Sequence, residues 1–102
     1  MSLYALQKAI YELNRDPAAM KRYLDDTVEY SSHYELTEEE SRALCTSDVG
    51  LLYVLGVNGQ LLMHYAAACG YEWSAYIEAM EQGLSIYGPV RAGLYATIGD
   101  RQ

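Results

Sequence analysis

Metal binding or thiol chemistry in this chain would have to come from His33, His64, Cys45, Cys69 and the Asp and Glu side chains. A metal centre needs several such donors converging on one point. The two histidines are not spaced as a pair on one helix, and neither H-E-x-x-H nor C-x-x-C occurs. His33-Tyr34-Glu35 has the H-x-E lettering of a zinc deaminase but lacks the P-C-x-x-C half. Cys69 lies five residues after His64, a poor spacing for a nucleophile and its base on one helical face. No G-x-S-x-G elbow is present. Asp25 and Asp26 are adjacent, and neighbours on a helix point about 100° apart, so they do not converge on one ligand. Gly50, Gly56 and Gly59 follow no strand pattern, which rules out a dinucleotide loop. These residues predict no catalytic and no metal site in the chain. The pattern reads as a binding part.

Composition narrows the partners. The formal net charge is −7 and the sequence pI about 4.6. A nucleic acid or an anionic membrane needs a basic face, so neither is expected. No apolar run approaches the roughly 20 residues that span a bilayer. Hydrophobic residues make up 51% of the chain, enough to exclude disorder at this length. Two cysteines are too few for a disulfide framework, and no signal-peptide pattern is read. Reduced, buried thiols in a cytoplasmic protein are expected. There are eleven Tyr, one Trp and no Phe. Tyrosine has an apolar body and a polar tip, which suits half-buried positions and interfaces. Tyrosines on the rim of a small core are the plainer alternative.

The elements that must position these residues are helical. Leu3, Leu6, Ile10 and Leu13 recur at spacings of three and four and predict a helix ending near Asn14. Asp16-Pro17 opens a second, with Met20, Tyr23, Leu24 and Val28 as its apolar stripe. Residues 30–34 read as a connection. Thr37-Glu38-Glu39-Glu40 is a capping box that starts a short third helix ending near Cys45. Ser47 and Asp48 can cap a fourth, stopped by Gly56, and Asn58 a fifth, stopped by Gly70. A last helix is expected from about Trp73 to Gln82 with Gly83 as its stop. The fold class is therefore all-α: a compact array of five or six short helices over residues 1–83. Residues 84–102 form a glycine-containing tail, packed on this domain or on a partner.

Several ordered segments carry a family resemblance. They are Leu13-Asn14-Arg15, Met20-Lys21-Arg22-Tyr23, Tyr34-Glu35-Leu36-Thr37 with the acidic turn behind it, and Ala43-Leu44-Cys45-Thr46-Ser47-Asp48. They continue through Leu51-Leu52-Tyr53-Val54-Leu55-Gly56, Val57-Asn58-Gly59-Gln60-Leu61-Leu62 and Tyr76-Ile77-Glu78-Ala79-Met80. In this order the stretch from Leu6 to Gly83 resembles the small (alpha) subunits of the LigAB-type aromatic-ring-opening dioxygenases. The resemblance implies a helical chain paired with a large catalytic subunit. In that family the large subunit holds non-haem Fe(II) through two histidines and a glutamate and opens a catecholic ring beside the diol with O₂. The small subunit lies over the active-site mouth. No iron ligand carries over, so no cofactor is expected on this chain.

The residues expected to face a partner or substrate are Tyr53, Gly56, Asn58, Gly59, His64 and Tyr65. For Asn58 a plain helix cap is the alternative. The isolated chain is expected as a possible homodimer. A rival reading is a stand-alone helical module binding a peptide or a small aromatic ligand. A third, an enzyme in its own right, would rest on His64.

Overall fold

The structure is a computed structural model that describes residues 2–91. The expectations for the tail beyond Arg91, including Gly93, Leu94, Tyr95, Ile98 and Gly99, lie outside the described residues. The described chain forms seven helices and no strand: α1 (Ser2–Arg15), α2 (Pro17–Asp25), α3 (Thr27–Ser31), α4 (Glu38–Cys45), α5 (Val49–Leu55), α6 (Gly59–Ala68) and α7 (Trp73–Tyr87).

Most boundaries follow from the caps. Asp16 Oδ1 accepts from the Ala18 N–H at 3.0 Å with Pro17 behind it, which starts α2. At α4 the capping box is complete. Thr37 Oγ1 accepts from the Glu40 N–H at 3.1 Å, and Glu40 Oε1 accepts from the Thr37 N–H at 2.8 Å. Asp48 Oδ1 accepts from the Leu51 N–H at the start of α5. Gly56 ends that helix with φ 109°, a conformation that glycine adopts without cost.

Two expectations are corrected. The second helix does not run on through Val28. Asp26 takes an extended conformation, φ −160°, and its side chain accepts from the Glu29 N–H, so a new helix, α3, begins at Thr27. The cap resets the helical phase. Val28, expected inward, is 67% exposed, while Tyr30 and Ser31, expected in a connection, are helical and buried. Leu24, also expected inward, precedes the cap and is 63% exposed because α2 buries Ala19 and Tyr23 instead. Gly83 likewise does not stop the last helix, which continues to Tyr87. Gly83 is where α7 touches α5. A Cβ on Gly83 would stand 2.5 Å from Gly50 O, and one on Gly50 would stand 2.5 Å from Ala79 O. After α7 the chain folds back. Arg91 N–H donates to Val54 O at 2.8 Å, and its guanidinium forms a two-point ion pair with Glu39.

The core explains the absence of phenylalanine. Tyr23, Tyr30 and Tyr65 are among the largest fully buried side chains, beside Leu6, Ile10, Leu44 and Leu62. Each hydroxyl is used. Tyr23 donates to Leu44 O at 2.6 Å and lies 2.9 Å from Ser47 Oγ and 2.6 Å from the Tyr65 hydroxyl. Tyr30 donates to Ala9 O at 2.9 Å. Further out, Tyr71 donates to Ser47 O and Tyr87 to Asp48 Oδ2. In a set of short helices many carbonyls lie at helix ends, and tyrosine can fill the core while meeting them.

This core has a pH consequence. Burial, ahead of every other cause, pushes Tyr23, Tyr30 and Tyr65 above their ordinary value of 10. An unfolded chain therefore loses these protons near pH 10 while the folded one keeps them. Their contribution to stability is fully present below about pH 10 and is lost as pH rises beyond it. In an alkaline titration followed by tyrosinate absorbance and circular dichroism, the buried tyrosines are expected to ionise together with loss of helix. Ionisation of every tyrosine in one simple step with the helices intact would contradict this packing.

Candidate functional site

The most developed polar surface lies where the end of α1 meets the start of α6. Asn58 builds it from the α6 side. Its Oδ1 accepts from the N–H groups of Gln60 at 2.9 Å and Leu61 at 3.2 Å, and its own N–H donates to Gln7 Oε1 on α1. Asn14 builds it from the α1 side: its Nδ2 donates to Leu61 O at 3.0 Å. That bond fixes the amide, so Asn14 Oδ1 points away from Leu61 O. This oxygen is shielded from solvent and has no hydrogen-bond partner among the described residues. It is an acceptor held ready for a donor.

Around it lies an open groove of about 270 Å³, lined by Tyr11, Asn14, Arg15, Asn58, Gln60, Leu61 and His64. A second groove of about 330 Å³ continues along α1, lined by Tyr4, Gln7, Lys8, Tyr11, Glu12 and Leu61. The two share Tyr11 and Leu61. Arg15 is held in place by Glu12 at 2.8 Å, with its guanidinium carbon 5.8 Å from the centre of the Tyr11 ring.

The six expected site residues do not all meet here. Asn58 and His64 line the groove together, and Gly59 is exposed beside them at the first turn of α6. Gly56 is half-buried, with its open side against Leu3. Tyr53 is half-buried on α5, packed on the core. Tyr65 is placed in the core, wholly buried, its ring beside Tyr23 and its hydroxyl bonded to Tyr23. Consecutive residues on a helix point about 100° apart, so His64 faces out where Tyr65 faces in. Tyr11, Asn14 and Arg15 were not among the expected residues. Their signal in the sequence is a second stripe on α1, Tyr4, Lys8, Tyr11 and Arg15, at spacings of four, three and four.

No set of three or more His, Cys, Asp or Glu side chains among the described residues is arranged to hold a metal ion. His33 is exposed beside Glu29. Burial raises the Cys69 thiol above its ordinary value, and Ser47 and Tyr65 oppose this only in part, so the group stays a thiol. The arrangement offers hydrogen bonds, aromatic faces and cations to something that binds. It offers no nucleophile poised beside a base.

Asn58 can be tested as a cap. Asn58→Ala is expected to cost about 1 kcal/mol and to lower Tm by roughly 4–8 °C, while Asn58→Asp keeps the fold at wild-type stability. Thermal melts of both variants check this. Equal stability of wild type and Asn58→Ala would contradict the cap.

Comparison with curated proteins and with solved structures returned no match. Comparison with protein families gave one, described as "Aromatic-ring-opening dioxygenase LigAB, LigA subunit", over residues 6–87. That stretch contains α2 to α6 in full, all of α1 after its first turn, and α7 to its last residue. The chain thus belongs to the LigA family, the small-subunit side of the LigAB ring-opening dioxygenases.

Proposed function

We propose that this chain is a non-catalytic small subunit that covers the active site of a non-haem Fe(II) extradiol dioxygenase acting on a catecholic aromatic acid. What carries the reading is family membership across residues 6–87. The iron would be held by the large subunit. The side chains described here do not fit such a centre, since no three His, Cys, Asp or Glu side chains converge among them. This chain's own work is then steric and electrostatic: closing the pocket, excluding water and limiting substrate size. The exposed start of α6, Asn58, Gly59 and His64, is the part we place against the large subunit, with Gly56 and Tyr53 supporting it from behind. Among the described residues no helix is long and apolar enough to cross a membrane, and we place the complex in the cytoplasm.

The rival reading, a stand-alone module that buries a small aromatic ligand, calls for a cleft that encloses most of the ligand. The joined grooves along α1 and α6 are open to solvent. The test is co-expression with the large dioxygenase subunit. Co-purification in fixed stoichiometry is expected, with no ring cleavage from this chain alone. A free monomer or homodimer that ignores the large subunit would defeat the proposal.

A further inference from the structure

We infer that the α1 stripe Tyr4, Lys8, Tyr11 and Arg15, with His64 and the unpartnered Asn14 oxygen beside it, is a docking groove for an extended acidic segment of the large subunit. This rests on the small-subunit reading above and specifies how the two chains recognise each other.

Charge is the first argument. The chain has fourteen acidic residues against seven Lys and Arg, so its surface as a whole suits a basic partner. The two joined grooves depart from that balance. They are lined by Lys8, Arg15 and His64, and by one carboxylate, Glu12, which is already paired with Arg15. Lys8 is exposed and forms no ion pair among the described residues. Lys8 and Arg15 against a single carboxylate, in a strip of an acidic protein, select an anionic occupant and orient it as it approaches.

Shape and hydrogen bonding then decide what kind of anion. The stripe runs from Tyr4 to Arg15, about 17 Å along the helix axis. A single carboxylated ring covers only part of that length, whereas about five extended residues span it. Tyr4 and Tyr11 are 68% and 49% exposed, large uncovered apolar surfaces that alternate with the cations along the stripe. The shielded Asn14 oxygen needs a donor, which a carboxylate lacks and a backbone N–H supplies. A polypeptide with carboxylates for Lys8 and Arg15, and a main-chain N–H for Asn14, satisfies all three.

The test is affinity for the purified large subunit, measured at about 50 mM and about 500 mM salt, where screening is respectively weak and strong. Lys8→Glu/Arg15→Glu is expected to raise Kd roughly tenfold or more at low salt, mainly through slower association, with the gap closing at high salt. Glu12 could strain that variant, so Lys8→Gln/Arg15→Gln, checked for a wild-type melt, is measured alongside it and should weaken binding in the same direction. Lys21→Glu changes a cation that lines neither groove and should leave Kd unaltered. Unchanged affinity in both double variants overturns the inference, as does an equal loss with Lys21→Glu. In either case the small-subunit reading stands. Failure of the unaltered chains to bind at all defeats both.

Discussion

Gly83→Ala is expected to destabilise the fold by about 2–3 kcal/mol, the upper part of the range for overpacked contacts. The added methyl would meet Gly50 O at 2.5 Å and Gly50 C and Cα at 2.6 Å. All three are backbone atoms, so no flexible side chain can swing away, and α5 and α7 have to separate. Alanine regains up to about 1 kcal/mol of helix propensity, which the estimate already subtracts. For a domain of this size the loss lowers Tm by roughly 10–20 °C. Gly50→Ala should behave alike, since its Cβ meets Ala79 O and Gly83 Cα. Gly59→Ala is the control: nothing lies within 4 Å of the position, so it should melt no lower than wild type. A Gly83→Ala protein as stable as Gly59→Ala would show that the two helices do not approach this closely.

Tyr23→Phe is the second large effect, and it should exceed that of Tyr65→Phe although the two hydroxyls bond to each other. Tyr23 donates to Leu44 O, so the Tyr65 hydroxyl is the donor between them. Removing the Tyr23 oxygen strands that donor on a residue with no exposed surface, a loss of about 1–3 kcal/mol. Removing the Tyr65 oxygen strands nothing comparable, because Tyr23 keeps Leu44 O and Ser47 Oγ. The double variant should cost less than the sum of the two, since it removes the buried Tyr65 donor together with its acceptor. Denaturant unfolding of the three variants checks the order. Additive losses, or a larger loss from Tyr65→Phe, would contradict the assigned direction of the bond.

Caps are the part of this fold that can be read from the sequence. Thr37 with Glu40, Asp16 with Pro17, Asp48 and Asn58 all act within three residues, and each starts a helix where its spacing predicts. Phase and tertiary contact are harder to read. Asp26 has the same chemistry as the other caps but sits inside a run that reads as one continuous stripe, so the reset that turns Tyr30 in and Val28 out is hidden. Gly83 has the look of a stop signal, and only the position of Gly50 across the interface shows it to be a contact. The site divides the same way. Asn58 and His64 are found through the junction before α6, whereas Tyr11, Asn14 and Arg15 join them only because α1 packs alongside. Tyr65 directly follows the exposed His64, and the helix turns it into the core.

Under the proposed function, this chain completes a catalytic centre located on the large subunit. The direct measurement is to titrate the purified chain into the iron-loaded large subunit and follow cleavage of a catecholic acid. kcat/KM is expected to rise with added chain and level off at the stoichiometry of the complex, with no turnover by this chain alone. A large subunit already fully active by itself, or ring opening by this chain without it, would rule out a non-catalytic covering role.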